Sequence, residues 1–469
     1  MKKAILPMVV FGAAAALITP KLISTKLEEQ LIQSVKEIDS VYGYQAEIQD
    51  LQSNWFSTQA KVRLSIDPEE MGIDADQKEI NEFYGVFNID ASHGLVLPEG
   101  ENIIGLANIL ITFKGDNLRS HMQWPADQAI YQAKLFTGLF NGTKFHDEVS
   151  PFSITDIEND FKVDYKGFSG TGTFIDNIVN YTGKSEPLYV AADGNQVTMS
   201  GMAIDMNAEA TLADIFQSNL YDSNTTLKIA SIIAKNESGE NNATIKDVVM
   251  DAITKTDEAN EKSSITIGYS IESIKAEDEV IKDIAFNVEV NNISNAFVTA
   301  YQDNQEVFVQ GTEEEIQANI VDFAQEHLLK FLQAEPEMNI TKLNATFDDG
   351  TIMSHVNTRI QQIDNLPNIT ENPMFWLNHF VADGELQGDK AVIERFAINQ
   401  VASQIKANPS ASDMSEVEIN DMAKQQAPYL IENFIEQGLI VKTETGYRTA
   451  FSMSNSALKV NGVEIPLPF

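Results

Sequence analysis

Within 57–67 the chain alternates strictly, with Ala60, Val62, Leu64 and Ile66 on one parity and Gln59, Lys61, Arg63 and Ser65 on the other. A period of two sends all the apolar side chains to one face of a pleated strand, so the segment predicts a strand with one wet face. The same parity returns at 83–89, at 197–206, at 264–274 through Ile265, Ile267, Tyr269 and Ile271, and at 284–290 through Ile284, Phe286, Val288 and Val290. The body of the chain is therefore expected to be rich in half-buried strands.

Helical spacing interrupts this pattern. Across 21–40, Leu22, Ile23, Leu27, Leu31, Ile32, Val35 and Ile38 recur at steps of three and four, which predicts an amphipathic helix packing on the body as a stalk. Further helices are expected at 126–140, 312–332, 389–406 and 415–437. Thr312 with Glu315, and Ser415 with Glu418, read as capping boxes that satisfy the free amides of a first helical turn. Strands follow at 439–442, 447–453 and 457–460, and Asn461-Gly462 suits the two positive φ angles of a type I′ turn. Strands grouped with clustered helices predict an α+β fold of mainly antiparallel, extended or curved β-sheets with packed helices, after an N-terminal membrane-anchor helix.

That anchor is the charge-free run 4–20, with Ile5, Leu6, Val9, Val10, Phe11, Leu17 and Ile18 between the basic pair Lys2-Lys3 and Lys21. At about 1.5 Å per residue the run spans roughly 25 Å, so Lys3 and Lys21 must snorkel to cover a ~30 Å hydrocarbon layer. A cleaved signal peptide ending among Ala13–Ala16 is the rival reading, but the run passes into the amphipathic segment without a polar cleavage region, which favours a retained signal anchor. The basic pair holds the N-terminus inside and sends the remainder across. The expected divisions are 1–20 as signal anchor or signal peptide, 21–40 as stalk helix, 41–235 as an N-terminal β-rich domain, and 243–469 as a C-terminal α+β domain ending in a β-meander. A second candidate break lies at 333–337, around Pro336.

A formal net charge of −37 argues against a phosphate-backbone partner, and nucleic acid is excluded on that ground. The absence of cysteine removes disulfides, thiolate metal sites and cysteine nucleophiles. The nearest approach to a nucleophile elbow is Gly167-Phe168-Ser169-Gly170-Thr171, which lacks the final glycine. Gly167, Gly170 and Gly172 are instead expected to relieve crowding at a bend. No phosphate-binding loop occurs. His93, His121, His146, His327, His355 and His379 are too far apart in sequence for a local zinc motif. The acidic stretch of Asp67, Glu69, Glu70, Asp74, Asp76, Glu79 and Glu82 has Glu79 where a calcium loop needs glycine. No catalytic residue, cofactor or metal site is assigned.

Four elements together resemble the YdgA/YihF-like family of bacterial envelope proteins of unknown function. They are the short apolar leader followed by a helix; Asn54-Trp55-Phe56-Ser57-Thr58 entering an alternating strand; Ile89-Asp90-Ala91-Ser92-His93-Gly94-Leu95; and Ala457-Leu458-Lys459-Val460-Asn461-Gly462-Val463-Glu464-Ile465-Pro466-Leu467. Leu95 stands where relatives continue with proline and phenylalanine, and Trp55 where many have a smaller residue. The resemblance implies a single-pass protein of the bacterial inner membrane with its C-terminal body in the periplasm, and implies no catalytic residues. Structural roles are expected for the motif positions Trp55, Phe56, Ser57, His93, Gly94, Asn461 and Gly462: the aromatic pair as core plugs, His93 bonded within a turn, and Asn461-Gly462 as a turn.

The leading expectation is a non-enzymatic envelope protein that binds a lipid, another apolar ligand or an envelope protein partner, with the membrane reached through the N-terminal helix. Its structural signature would be an apolar sheet face around Ile265, Ile267, Tyr269, Ile271, Phe286 and Val288 that helices leave open. The alternatives are a hydrolase of an envelope polymer with a dispersed carboxylate, serine or histidine site, and a structural subunit of an envelope assembly.

Overall fold

The computed structural model describes residues 23–41, 43–66, 84–94, 97, 104–140, 142–156, 160–211, 214, 220–277, 279–304, 306–308, 312–361, 363–366, 373–407 and 414–467. The leader residues Ile5, Leu6, Val9, Val10, Phe11, Leu17 and Ile18 and the acidic stretch 67–82 lie outside them. Among the described residues no helix is long and apolar enough to cross a membrane. The chain divides into two compact units, one drawn from 1–242, 251–261 and 295–324, the other from 243–250, 262–294 and 325–469.

Unit 1 opens with helix α1 (Ile23–Asp39) and the hairpin of β1 (Tyr44–Ser53) and β2 (Ser57–Ile66). An isolated helix of this length is marginal in water, so tertiary packing must hold it. Leu27, Leu31, Val35 and Ile38 supply that packing, buried in one core with Ala60 and Val62 of β2. At about 1.5–3 kcal/mol per buried aliphatic side chain, these contacts outweigh the helix's intrinsic instability. The predicted stalk is thus part of the body's core.

The sheet continues antiparallel through β3 (Tyr84–His93), β4 (Ala107–Phe113), β5 (Tyr131–Thr137) and β6 (Thr143–Val149). The short hairpin β7 (Phe152–Asp156) and β8 (Phe161–Tyr165) branches off before β9 (Phe168–Ile175), which pairs with β6, and β10 (Ile178–Ser185). Next come β11 (Leu188–Ala192), β12 (Asn195–Glu209) and β13 (Asp222–Lys235). The long β12 joins both branches, pairing with β11 over its first part and β10 over its second, while β13 runs along its other edge.

The helix expected at 126–140 is not formed; its centre is strand β5. Tyr131, Ala133, Leu135 and Thr137 are buried on alternate positions, with Gln132, Lys134 and Phe136 between them. The apolar positions there fit both periods, and pairing with β4 and β6 on either edge decides between them.

Strand β14 (Asn241–Asp257) contributes residues to both units. Unit 2 is built on β15 (Lys262–Ala276) and β16 (Glu279–Ser294); helix α2 (Asn295–Asp303), next in sequence, belongs to unit 1, and α3 (Glu313–Gln333) is divided between the units. Then come β17 (Glu337–Phe347), β18 (Gly350–Ile360), α4 (Pro373–His379) and β19 (Phe380–Asp389). Helices α5 (Lys390–Lys406) and α6 (Glu416–Glu436) precede β20 (Val441–Lys442), β21 (Gly446–Ser454), β22 (Ala457–Val460) and β23 (Val463–Ile465). The sheet runs β15–β16–β17–β18–β19–β21–β22–β23, every pair antiparallel, with β20 beside β21. Helix α6 packs on α5 through Val401, Ala423 and Ala427.

Both capping boxes form. The amides of Glu315 and Glu418 donate to Thr312 Oγ1 and Ser415 Oγ at 3.3 Å, and the Glu carboxylates accept from the Thr312 and Ser415 amides. Asn461 and Gly462 take φ of 50° and 82°, the turn that joins β22 to β23. Asn461 also clamps the fold: its Oδ1 accepts from the Ala450 amide and its Nδ2 donates to the Gly438 carbonyl, each at 2.9 Å. Asn461→Gly keeps the turn but loses both bonds, so it should cost about 1–3 kcal/mol in urea denaturation, while Gly at the exposed Asn195 should cost less than about 1 kcal/mol.

Candidate functional site

The motif positions of 54–58 and 92–94 meet at one end of the unit 1 sheet. Ser57 pairs with Ser92, and the His93 amide donates to the Phe56 carbonyl at 3.0 Å. His93 was expected to bond within a turn; its buried ring instead reaches the neighbouring strand, with Nε2 3.2 Å from Thr58 Oγ1. Burial holds its imidazole below the ordinary histidine range. Gly94 has φ of 138°, and its amide donates to the Leu106 carbonyl. Trp55 and Phe56 are not core plugs: they cap the β1–β2 hairpin at 83% and 65% exposure. Their position at the turn carries them past the last covered residues of the strands.

The serine of the near-miss elbow lies inside β9, paired with Glu148 on one side and Lys184 on the other. It sits on no strand-to-helix turn. His146 and Glu148 stand on the adjoining strand, an arrangement that invites a hydrolytic reading. The His146 ring excludes it: Nδ1 lies 2.7 Å from the Gly170 carbonyl and Nε2 2.9 Å from Glu148 Oε1, which leaves no nitrogen to take a proton from Ser169. Hydrogen bonds from His146 and Gln132 hold the Glu148 carboxyl below its usual range.

On the opposite face Asp147 is buried in the apolar core, where Tyr181 Oη donates to its two oxygens at 3.1 and 3.3 Å. Burial raises the Asp147 carboxyl, and burial together with the nearby carboxylate raises Tyr131 and Tyr181. Gly170 makes this pair possible. A Cβ there would lie 2.1 Å from Tyr181 Oη, and one at Gly172 would lie 2.2 Å from the Phe145 ring, which stacks on Tyr181. Gly170 and Gly172 relieve crowding in the core, whereas Gly167, at φ 112° against the Val149 carbonyl, does so in the bend between β8 and β9. The Tyr181–Asp147 pair ties β10 to β6 inside this core.

Unit 2 presents a different feature. By register, Tyr269, Phe286 and Leu343 form one cross-strand row, Ile267, Val288 and Ile340 a second, and Ile265, Val290 and Met338 a third, all on one face. None of the nine is fully buried; Tyr269 is 42% and Met338 56% exposed. Helix α5 covers the same face farther along the sheet: Ile393 lies against Gly388, and the Phe347 ring meets Phe396 and the Arg395 guanidinium. The apolar face therefore continues from β21 to β15 but is covered over only part of that length. A groove of about 450 Å³ lies on β17, β18 and β19, with Leu343, Met353, His355, Glu385 and Gln387 in its lining. Arg448 neutralises Glu385 at 3.0 Å.

Among the described residues no group of three or more His, Asp or Glu side chains is placed to share a metal ion. Asp147 occupies an apolar parity position in Thr143-Lys144-Phe145-His146-Asp147-Glu148-Val149, and that misplaced acid is the one signal in the sequence that points to it.

A carboxyl with a raised native pKa keeps its proton at pH values where the unfolded chain has lost it, so Asp147 makes stability fall as pH rises from its ordinary range through the native value. Asp147→Asn removes this slope and leaves Tyr181 an acceptor. At neutral pH the variant should match or exceed the parent in urea denaturation; a loss of about 3 kcal/mol or more would mark Asp147 as a favourable paired charge.

A family model described as "Bacterial protein of unknown function (DUF945)" matches residues 1–468. No curated protein and no solved structure matches the chain. Since that match spans almost the whole sequence, the chain belongs to the DUF945 family of bacterial proteins.

Proposed function

We propose that this protein is a non-enzymatic component of the bacterial envelope, held at the inner membrane by the leader 4–20 with its body in the periplasm, where it binds an acyl chain or similar apolar ligand. The partly covered apolar face of β15, β16 and β17 carries this reading. Three strands span about 10 Å at their usual spacing, and rows two residues apart extend it to roughly 14 Å, dimensions that fit a stretch of hydrocarbon chain. Large apolar patches left open on a folded body are the usual mark of a binding surface.

Several features agree. The leader has the length and flanking charge of a tight membrane anchor. The resemblance of the sequence to the YdgA/YihF-like family favours an anchored periplasmic protein. The His146 ring, beside the near-miss elbow serine, is committed to Gly170 and Glu148.

The test is a titration of the delipidated full chain with a fluorescent fatty acid. Saturable binding is expected, weakened roughly tenfold or more by Leu343→Asp, since a carboxylate in contact with hydrocarbon forfeits at least the burial of one side chain. Ser270→Asp, exposed on the opposite face of β15, should leave it unchanged. Absence of saturable binding, or equal loss in both variants, would rule out this face as the ligand site.

A further inference from the structure

We propose that the end of unit 1 at which Trp55 and Phe56 project is a bilayer-contact surface, seated in the membrane interface beside the point where the leader joins the body. This inference rests on the membrane-tethered reading above and adds to it which surface of the body faces the lipid.

The strand register brings several turns to this one end. Ser57 pairs with Ser92, His93 with Ala107, Ala107 with Thr137, Thr137 with Thr143, Thr143 with Phe174, and Ile175 with Ile178. Backbone bonds tie these ends together, from the Leu106 amide to the Thr137 carbonyl and from the Gly138 amide to the Gly142 carbonyl. Large apolar side chains project from them, Trp55, Phe56, Ile104, Leu139, Ile175 and Phe140, the last 95% exposed, beside the exposed polar Asn54, Asp176 and Asn177. Across the strands from β1 to β10, at about 4.8 Å each, they extend over roughly 30 Å of sheet end. At the opposite end Ile66 is exposed, but the connection between β4 and β5 presents Asp116, Arg119 and Asp127.

Two observations select lipid as the occupant. The first is where the chain leaves the unit. The C-terminal end of α1 is fixed at the start of β1, where the Ala46 amide donates to Asp39 Oδ1 and the Tyr44 amide to the Val41 carbonyl. From there α1 packs along β1 and β2 with its stripe from Leu27 to Ile38 buried. It must therefore run back toward the hairpin tip, and its length of about 25 Å against about 33 Å for β1 leaves Ile23 near the level of the aromatic turn. The apolar run 4–20 ends three residues before Ile23. The second is chemical type. Segments 54–56, 94–106, 138–142 and 175–178 contain no Lys or Arg, and the chain carries a net charge of −37, so attraction to anionic headgroups cannot supply the contact. Aromatic and aliphatic side chains entering the interface can, and tryptophan favours that depth.

The absence of cysteine permits a clean test. The full chain carrying Phe140→Cys or Asp127→Cys is labelled with an environment-sensitive fluorophore and reconstituted into phosphatidylcholine vesicles, with or without phosphatidylglycerol. The probe at 140 should shift to the blue and be quenched by nitroxides on the acyl chains; the probe at 127 should stay water-like; phosphatidylglycerol should not strengthen the effect. A chain that remains vesicle-bound with a water-like probe at 140 would overturn the contact and leave the tether intact. A chain that does not associate with vesicles at all would overturn both. A probe at 140 that is shielded from water yet untouched by the lipid nitroxides would mean a second copy or another protein covers this end, and would also overturn it.

Discussion

The structure depends on burying one face of each strand. Alternating residues give every strand an apolar and a polar side, and antiparallel pairing aligns the apolar sides into continuous faces that must then be covered. In unit 1 the α1 stripe and the inner residues of β2 to β6 make a single core. In unit 2 the cover is partial. Helix α5 lies over β18, β19 and β21, whereas the rows of Tyr269, Ile267 and Ile265 run on without full burial. An apolar face at once ordered by its sheet and left accessible has a defined geometry for a ligand.

The polar groups of the interior point the same way. Asp147 is held by Tyr181, His93 by Thr58, and the amide of Asn461 by Ala450 and Gly438. Each of these contacts fixes one strand or turn against another. Outward, large apolar side chains stand exposed on the face of one unit and on the turns of the other.

Much of the fold was legible from local pattern. The strict parity of Ala60, Val62, Leu64 and Ile66 could be satisfied in one way, and the serine and glutamate of 415–418 announced α6 before any packing was known. The segment 126–140 was misread because its apolar residues fit a helix and a strand equally, and only the neighbours β4 and β6 distinguish them. Trp55 and Phe56 were misread for another reason. Aromatic residues next to an alternating strand are expected inside, and only the alignment of several distant turns shows that this end of the sheet faces outward. The partly covered face of β15 to β17 was readable as apolar, but whether a helix lies over it depends on contacts far apart in sequence.

The most direct measurement of the central claim is mass analysis of what accompanies the intact protein when it is taken gently from bacterial membranes. The account predicts a stoichiometric acyl-bearing molecule, lost when a charge replaces Leu343. Protein that emerges from the membrane fraction free of any such molecule, and remains so on exposure to membrane lipid, would contradict it.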